Sequence, residues 1–244
     1  MSKAGKYGRI LLKVSGEALM GSEPFGISPP VLKDLASGIG IAVSEGIQVA
    51  LVVGGGNIFR GMKGAAAGMD RATADHMGML ATIMNALALQ DALLRAGVAA
   101  RTLSAVEVGK MTEPFIRARA IGHLEKGRVV ILAAGTGNPY FTTDTAAVLR
   151  SLELKVDILM KGTSVDGIYD KDPKQHSDAI RYDVITHQAV LEQGLRFMDA
   201  TAIALARDAG LLIRVFNMRV KDNIITALRG ENIGSLVTGE EHHE

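Results

Sequence analysis

Glycine, hydroxyl and lysine residues follow a short aliphatic run at four places in this chain. The four segments are residues 10–16 (ILLKVSG), 49–56 (VALVVGGG), 129–143 (VVILAAGTGNPYFTT) and 158–163 (ILMKGT). Each pattern predicts a buried strand that ends in a polar loop. Glycine lets the backbone approach a ligand closely, and free N–H groups with lysine favour anions, phosphates above all. Because ligands bind at the carboxyl ends of strands in open α/β sheets, the loops predict a site for one large charged ligand or for two phosphorylated ligands side by side.

The two most common phosphate-binding motifs do not occur. The nearest match to a P-loop, residues 122–128, has Arg in place of Lys, lacks Ser or Thr and precedes a predicted strand. The dinucleotide pattern G-x-G-x-x-G fails at its last position in both candidates, where Phe59 and Tyr140 stand. Any phosphate chemistry must therefore use another scaffold.

Strands that alternate with helices position these loops. The alternation predicts an α/β fold in three layers, a mainly parallel central sheet with helices on both faces, formed as a single domain over residues 1–244. A helix start is expected at Ser28-Pro29-Pro30. Strands are predicted within residues 10–16, 48–53, 99–103, 129–133, 158–163, 213–216 and 235–238, helices at 31–45, 70–95, 114–126, 144–152, 186–193 and 199–209, and a polar excursion with a hairpin at 166–182.

Composition excludes several classes of function. With 48% hydrophobic residues, 244 residues can bury a sizeable core, and a net charge of +1 with 4% aromatics gives no footprint for nucleic acid. The absence of cysteine removes disulfides and thiolate metal sites, which is consistent with a reducing cytosol. No run of about 18 apolar residues and no signal peptide is recognised, so a membrane is not expected. The tail at 240–244 (EEHHE) is expected to be frayed.

Six motifs together resemble the bacterial UMP kinases, which have the amino-acid-kinase fold, over essentially the whole chain. The resemblance implies the reaction ATP + UMP → ADP + UDP with Mg²⁺ carried by ATP, in cytoplasmic pyrimidine nucleotide biosynthesis. It places the UMP side mainly in the N-terminal half and the ATP side mainly in residues 155–244, with no separate metal site. The motifs are ILLKVSGEAL at 10–19, VVGGGNIFRG at 52–61, ADHMGMLAT at 74–82, AGTGNPYFTTDTAA at 134–147, VDGIYDKDP at 165–173 and RVFNM at 214–218.

The catalytic candidates suit phosphoryl transfer on chemical grounds. A phosphate monoester has its second pKa near ~6, so UMP is already a dianion at neutral pH and needs no general base. Lys13 and Lys161, each at a strand end, are suited to stabilising charge on the moving phosphoryl group. Asp144 is expected to hold the lysines, and Asp199 is a second candidate. The alternatives are a solvent-facing Lys13 and an Asp144 that is only a helix N-cap.

The binding residues are those implied by the resemblance. On the ATP side, Gly16 brings N–H groups to the nucleotide, and Tyr169 packs near adenine or belongs only to a hairpin core. On the UMP side, Asp75 accepts from the ribose hydroxyls. The ATP set is Lys13, Val14, Ser15, Gly16, Gly56, Arg60, Thr163, Tyr169 and Asp172. The UMP set is Gly55, Arg60, Asp75, Thr136, Gly137, Asn138, Pro139, Tyr140, Phe141, Thr142 and Thr143.

Two alternatives remain open. A sister kinase of the same fold, acting on carbamate, acetylglutamate or aspartate, would also carry a first-strand lysine and a glycine loop, but not the 136–143 segment beside Asp75. A nucleotide-binding storage or sensor protein would not need Lys13, Lys161 and Asp144. His76 and His123 are expected to be ordinary structural or surface residues, and the 11 methionines to be packing residues.

The long helix predicted at 70–95 carries two apolar stripes. One contains Met77, Leu80, Met84 and Leu87, and the other Met79, Ile83, Ala86 and Leu93. Two stripes predict burial on two sides, either inside one domain or against a symmetry mate. The resemblance implies a homohexamer activated by GTP and inhibited by UTP, with Arg101 and Arg128 as effector-site candidates.

Overall fold

The computed structural model describes residues 6–60, 68–220 and 222–239. The strands are β1 (Arg9–Val14), β2 (Gln48–Val53), β3 (Ala100–Ser104), β4 (Glu113–Pro114), β5 (Val129–Ala133), β6 (Ile158–Thr163), β7 (Ile168–Tyr169), β8 (Arg181–Tyr182), β9 (Val184–Thr186), β10 (Ile213–Asn217) and β11 (Ser235–Thr238). The helices are α1 (Pro29–Ser44), α2 (Arg71–Arg95), α3 (Arg117–Glu125), α4 (Thr143–Leu154), α5 (His187–Glu192), α6 (Ala200–Asp208) and α7 (Asn223–Leu228), with a 3₁₀ helix at Gly16–Met20.

Nine strands form one sheet in the order β4-β3-β5-β2-β1-β6-β10-β11-β9. Only the pair β10–β11 is antiparallel within that sheet. Strand β1 lies near the centre, between β2 and β6. The carboxyl ends of β1, β2, β5 and β6 therefore meet at one edge, as the polar loops predicted.

Helices cover both faces of the sheet, which confirms the three-layer α/β fold with a mainly parallel sheet. One apolar cluster joins one face to α1, α2 and α7, and a second joins the opposite face to α3, α4, α5 and α6. Along β1, Ile10 and Leu12 belong to the first cluster and Leu11 to the second. This alternation is the period-two pattern of a strand that is buried on both sides.

Several elements differ from the sequence prediction. The helix expected at 114–126 begins only at Arg117, because the residue before a proline avoids helical geometry and Glu113–Pro114 pairs instead as a short strand. Besides β4, three other short elements were not predicted: the 3₁₀ helix, strand β9 and helix α7. Their lengths are too small to show a clear hydrophobic period. The expectation for the 240–244 tail lies outside the described residues.

Helix α2 is apolar enough to cross a membrane by length and composition, which the sequence prediction did not recognise. Its 25 residues have a mean hydropathy of 1.4 in the relevant window, and half of that window is buried inside the protein. Its residues Ile83, Leu89 and Leu93 pack into the first apolar cluster. Core helices pass the same test, so this helix is weak evidence for a membrane span.

Candidate active site

Lys13 and Lys161 come together at the sheet edge and share one carboxylate. They are register partners on the parallel strands β1 and β6, and both are more than 90% buried. The Nζ of Lys13 lies 2.8 Å from Oδ1 of Asp144, and the Nζ of Lys161 lies 2.7 Å from Oδ2. Lys161 also donates to the carbonyl oxygen of Phe197. The cluster therefore carries two cations and one anion.

Burial and charge shift the pKa values of this cluster. Burial raises the pKa of Asp144, but the ammonium groups of Lys13 and Lys161 outweigh burial and hold that pKa below its usual range. Burial and then repulsion from Lys13 lower the pKa of Lys161 to about 8, against the opposing attraction of Asp144 and Asp199. Asp144 is thus ionised at neutral pH, and Lys161 is the group whose charge changes just above neutrality.

Asp144 lies in the first turn of α4, but it is not the N-cap. Thr142 is the cap residue, and its Oγ1 accepts from the backbone N–H of Asp144 at 3.0 Å. The Asp144 carboxylate is left to contact the two lysines. A carboxylate is also favoured near the positive end of a helix dipole. The plain N-cap alternative for Asp144 is therefore excluded by the geometry.

Asp199 lies beside the cluster without taking a hydrogen bond from either lysine. It caps α6 by accepting from the N–H of Ala202 at 2.9 Å. Its other contacts come from the hydroxyls of Thr142, at 2.5 Å, and Thr145, at 3.0 Å. Asp199 thus fixes the start of α4 and acts on Lys161 through its charge.

The loops after β1 and β2 touch so closely that only glycine fits. A Cβ on Gly16 would lie 2.5 Å from Oδ1 of Asn57 and 2.7 Å from the N of Gly56. A Cβ on Gly55 would lie 2.8 Å from the Cβ of Ala81 on α2. These contacts explain the glycines by packing between the two loops and α2, and the predicted approach of their backbone to a ligand stays a prediction. Val14 is the buried end of β1, and Ser15 caps the 3₁₀ helix.

A cavity between α2 and the loop after β5 gathers most of the residues predicted on the UMP side. Seven predicted residues line it, and Arg60, Gly137, Pro139 and Tyr140 do not. Arg60 instead lies beside the ATP-side glycine, donating to the carbonyl oxygen of Gly56 at 3.2 Å and pairing with Glu17. The seven lining residues are Gly55, Asp75, Thr136, Asn138, Phe141, Thr142 and Thr143.

Asp75 is held in this cavity, named the acceptor-side cavity after its predicted role, by two donors. The Nε of Arg71 and the backbone N–H of Tyr140 each lie 2.8 Å from its Oδ2. The guanidinium of Arg71 also lies 5.5 Å from the centre of the Tyr140 ring. Tyr140 has a positive φ of 72°, so the loop bends here to bring its N–H to Asp75. Arg71 was not among the predicted residues, although its position four before Asp75 on a helix could have indicated it.

A second cavity, named the donor-side cavity after its predicted role, lies beside the β7–β8 hairpin and contains Tyr169 and Asp172 from the predicted ATP side. The hydroxyl of Tyr169 donates to Asp166 at 2.6 Å, and Tyr169 is partly exposed. Thr163 does not line this cavity but fixes its edge, because its hydroxyl donates to the carbonyl oxygen of Val165 at 2.7 Å. The hairpin expected within 166–182 is therefore present and forms one wall.

The loop between α5 and α6 is the main feature that the sequence did not reveal. Residues 194–197 line the donor-side cavity and also a neighbouring cavity that contains Asp144 and Asp199. Phe197 of this loop supplies the carbonyl that Lys161 contacts. The loop thus contacts Lys161 and lines the donor-side cavity. Its sequence, GLRF, carries no motif that could have identified it.

Arg101 and Arg128 lie together near the amino ends of the parallel strands β3 and β5, at the sheet edge opposite the polar loops. Arg101 is 3.8 Å from Glu113, whose other oxygen is 3.2 Å from Nε2 of His123. Arg128 lies 3.1 Å from Nδ1 of the same histidine. His123 is therefore part of this charged cluster, whereas His76 is exposed. Within residues 6–60, 68–220 and 222–239, no group of three or more His, Cys, Asp or Glu could hold a metal ion.

Comparison with known proteins agrees with this geometry. The amino acid kinase family matches residues 8–217, so the chain belongs to the amino acid kinase family. A uridylate kinase of Xanthomonas axonopodis pv. citri is 58% identical over 233 residues, which cover 96% of this chain and 97% of the relative. Within the family, the chain therefore belongs to the uridylate kinases.

Solved structures support the same grouping. The UMP kinase of Bacillus anthracis has a TM-score of 0.92 at 35% identity, over 96% of this chain and 97% of that one. The UMP kinase of Ureaplasma parvum has a TM-score of 0.89 at 38% identity, over 94% of this chain and 98% of that one. The sequence-based assignment to this family is thereby confirmed.

Proposed function

We propose that this chain is a UMP kinase that transfers the γ-phosphoryl group of ATP to UMP. An oxygen of the UMP phosphate attacks the γ-phosphorus, the bond to the β,γ-bridging oxygen breaks, and ADP leaves with the electron pair. The products are UDP and ADP, in the supply of pyrimidine nucleotides. The observation that carries this proposal is the pair of buried lysines on one carboxylate, with one cavity that reaches Thr143 beside Asp144 and another that reaches Phe197 beside Lys161.

The lysines supply charge and the loops supply position. Two anions must be brought together, and negative charge must be stabilised on the moving phosphoryl group. Lys13 and Lys161 hold positive charge in a buried place, where its electrostatic attraction for an anion is stronger than in water. Asp144 keeps both ammonium groups at the sheet edge, and Asp199 fixes the start of α4. In this proposal the loop after β1, through Gly16, and the loop after β2, through Gly56 and Arg60, approach the ATP phosphates.

The acceptor is proposed to occupy the cavity at Asp75. Its ribose hydroxyls donate to Asp75, its phosphate lies against Gly55 and Arg60, and residues 136–143 wrap the uracil. The contact between Asp75 and the N–H of Tyr140 supports this, since it ties the ribose acceptor to the uracil loop. The residues that line this cavity come from positions 55–143, and those that line the donor-side cavity come from 165–197. This supports the proposal that UMP binds mainly to the N-terminal half of the domain and ATP mainly to residues 155–244.

ATP is proposed to lie along the donor-side cavity with Mg²⁺ on its phosphates. Mg²⁺ keeps several waters and is held through substrate phosphates with one or two carboxylates. Both oxygens of Asp144 contact lysines, so Asp144 is not free to bind the ion. The ATP phosphates and water are therefore the main ligands for Mg²⁺. The ion would neutralise charge on the transferring group. Thr163, Tyr169 and Asp172 would contact the nucleoside part of ATP.

One assay separates this proposal from its alternatives. The protein is incubated with MgATP and UMP, CMP, AMP or acetylglutamate, and ADP release is followed by a coupled enzyme system. Rapid release of ADP is expected with UMP and not with CMP, AMP or acetylglutamate. Preference for acetylglutamate would indicate the sister kinase, and binding of nucleotides without release of ADP would indicate a sensor. Omission of Mg²⁺ should abolish the signal with UMP.

A homohexamer in the cytoplasm is the proposed assembly. The first stripe of α2 supports it, because Met77, Leu80 and Met84 are 38–55% exposed, whereas Met79, Ile83 and Ala86 pack inside. An exposed apolar stripe on a helix fits a two-fold contact with a second copy. GTP activation and UTP inhibition are proposed as well. The clustering of Arg101 and Arg128 around His123 supports an effector site for a phosphorylated ligand there.

A further inference from the structure

Two asparagine side chains lie behind the glycine loop that follows β2, outside the contacts proposed for substrates. Asn57 is 3% exposed and Asn85, on α2, is fully buried. Neither lines the acceptor-side or the donor-side cavity. Burying two amides is costly unless their hydrogen bonds are made, so their partners indicate what they do.

The two amides form a closed set of short hydrogen bonds. Nδ2 of Asn85 donates to Oδ1 of Asn57 at 2.7 Å, and Nδ2 of Asn57 donates back to Oδ1 of Asn85 at 2.9 Å. The second bond of each Nδ2 goes to backbone. Asn85 reaches the carbonyl oxygen of Gly54 at 2.7 Å, and Asn57 reaches that of Gly26 at 2.8 Å.

This arrangement fixes the glycine loop on three sides. Gly54 is held to α2 through Asn85, and the backbone N–H of Gly54 donates to Val14 of β1 at 2.9 Å. Oδ1 of Asn57 lies against Gly16, where a Cβ would come within 2.5 Å. The loops that carry Gly16 and Gly55 are thus set relative to each other by the asparagine pair.

We propose that Asn57 and Asn85 are positioning residues for phosphoryl transfer. They fix the N–H groups of Gly55 and Gly56 at the place where the acceptor and donor phosphates meet, while the N–H of Gly54 is already bonded to Val14. An apolar side chain of the same size would fill the space but leave the Gly54 carbonyl without this donor, and the loop would shift or loosen. This inference rests on the proposed UMP kinase function, but the loop itself can be observed without turnover.

Asn85→Leu tests the proposal because it keeps the volume and removes the hydrogen bonds. We expect kcat with UMP to fall by about 10²-fold, the effect of displacing a reacting group by about 1 Å, with smaller changes in both KM values. Asn57→Ala should give a similar loss, and the double variant should be little worse, because residues that act as a unit are not additive. Asn57→Ala also serves if Asn85→Leu does not fold.

The matched control is Leu93→Ala, which opens a cavity in the core further along the same helix. It should lower the melting temperature and leave kcat near that of the parent below the melting range. Equal kcat losses in Leu93→Ala and Asn85→Leu would mean that the asparagines only stabilise the fold, and this would contradict the proposal. A variant Asn85→Leu with unchanged kcat would also overturn the proposal.

Hydrogen exchange of the peptide that contains residues 54–59 gives a readout independent of activity. Exchange should be faster in Asn85→Leu and Asn57→Ala than in the parent, and unchanged in Leu93→Ala. If the parent does not phosphorylate UMP, the proposed function fails while this readout still decides the positioning role. Unchanged exchange in both asparagine variants would refute that role.

Discussion

Lys13 and Lys161 occupy the same level of two adjacent parallel strands, and each ammonium group contacts a different oxygen of Asp144. The two lysines and Asp144 by themselves have an excess of one positive charge, and the Asp199 carboxylate acts on Lys161 from beside them. Removing either lysine would leave a neutral pair and remove the charge that attracts a phosphoryl group. The carboxylate holds the lysines in place but cannot neutralise both.

The first prediction follows for Lys13→Met. Turnover should fall by about 10²–10³-fold, the scale of losing one preorganised electrostatic donor. The affinity for UMP, measured by calorimetry, should change far less, because Lys13 acts on the transferring group. Lys33→Met is the control, since Lys33 is an exposed lysine of α1. A folded Lys13→Met protein with near-normal turnover would exclude this mechanism.

The second prediction concerns pH. The pKa of Lys161 is lowered to about 8, so its positive charge is present at neutral pH and is lost as pH rises through that value. The value of kcat/KM for ATP, which reports the free enzyme, should therefore fall above about pH 8. Bound phosphates favour the charged lysine, so the decline in kcat should begin at higher pH.

Lys161→Arg provides the control for this pH profile. Arginine stays protonated throughout the range, so any activity that remains in the variant should lack the decline near pH 8. Both profiles are measured with UMP and MgATP at fixed ionic strength. Persistence of the same decline in Lys161→Arg would assign it to another group.

The sequence predicted the loops of the site because their signals are local. Aliphatic runs followed by glycine identify strand ends without knowledge of the rest of the fold. The chemistry of the reaction predicted that Asp144 holds both lysines, but the register that places Lys13 beside Lys161 was not visible, because it requires β1 and β6 to be neighbours in the sheet. Sheet order is set by tertiary packing of helices on both faces, which no local pattern contains.

The residues that sequence reasoning missed act through long-range contacts. Phe197 matters through a backbone carbonyl, which its side-chain type does not reveal. Asn85 appears within an apolar helix pattern as an isolated polar residue, and its role depends on Asn57. Both are recognised only when the loops are placed beside α2 and β6.

The third prediction concerns the base of the acceptor. A site of backbone groups and hydroxyls matched to uracil leaves buried polar groups unpaired with cytosine, whose donors and acceptors differ. UMP should therefore exceed CMP in kcat/KM by at least about 10²-fold. Parallel assays at subsaturating nucleotide give this ratio directly. Comparable values of kcat/KM for UMP and CMP would mean that residues 136–143 do not distinguish uracil from cytosine.

The fourth prediction concerns Asp75→Asn. The amide keeps the size of the side chain but loses the charge that the proposed ribose contact needs, so UMP should bind more weakly. ATP affinity should be almost unaffected, because Asp75 lies in the acceptor-side cavity. Asp70→Asn is the matched control, since Asp70 caps the same helix and Asn caps equally well. Equal losses for UMP and ATP would move Asp75 out of the acceptor site.

The last prediction concerns assembly through the exposed stripe of α2. Leu80 and Met84 are each 55% exposed and lie one turn apart, whereas Ile83 and Ala86 are buried. A charge placed in a two-fold contact meets its own copy and must be desolvated, so Leu80→Glu should dissociate the assembly. Met111→Glu, at a residue 58% exposed outside α2, is the control and should leave the assembly intact. Light scattering after gel filtration measures both, and a parent protein that is a clean monomer at micromolar concentration would contradict the interface.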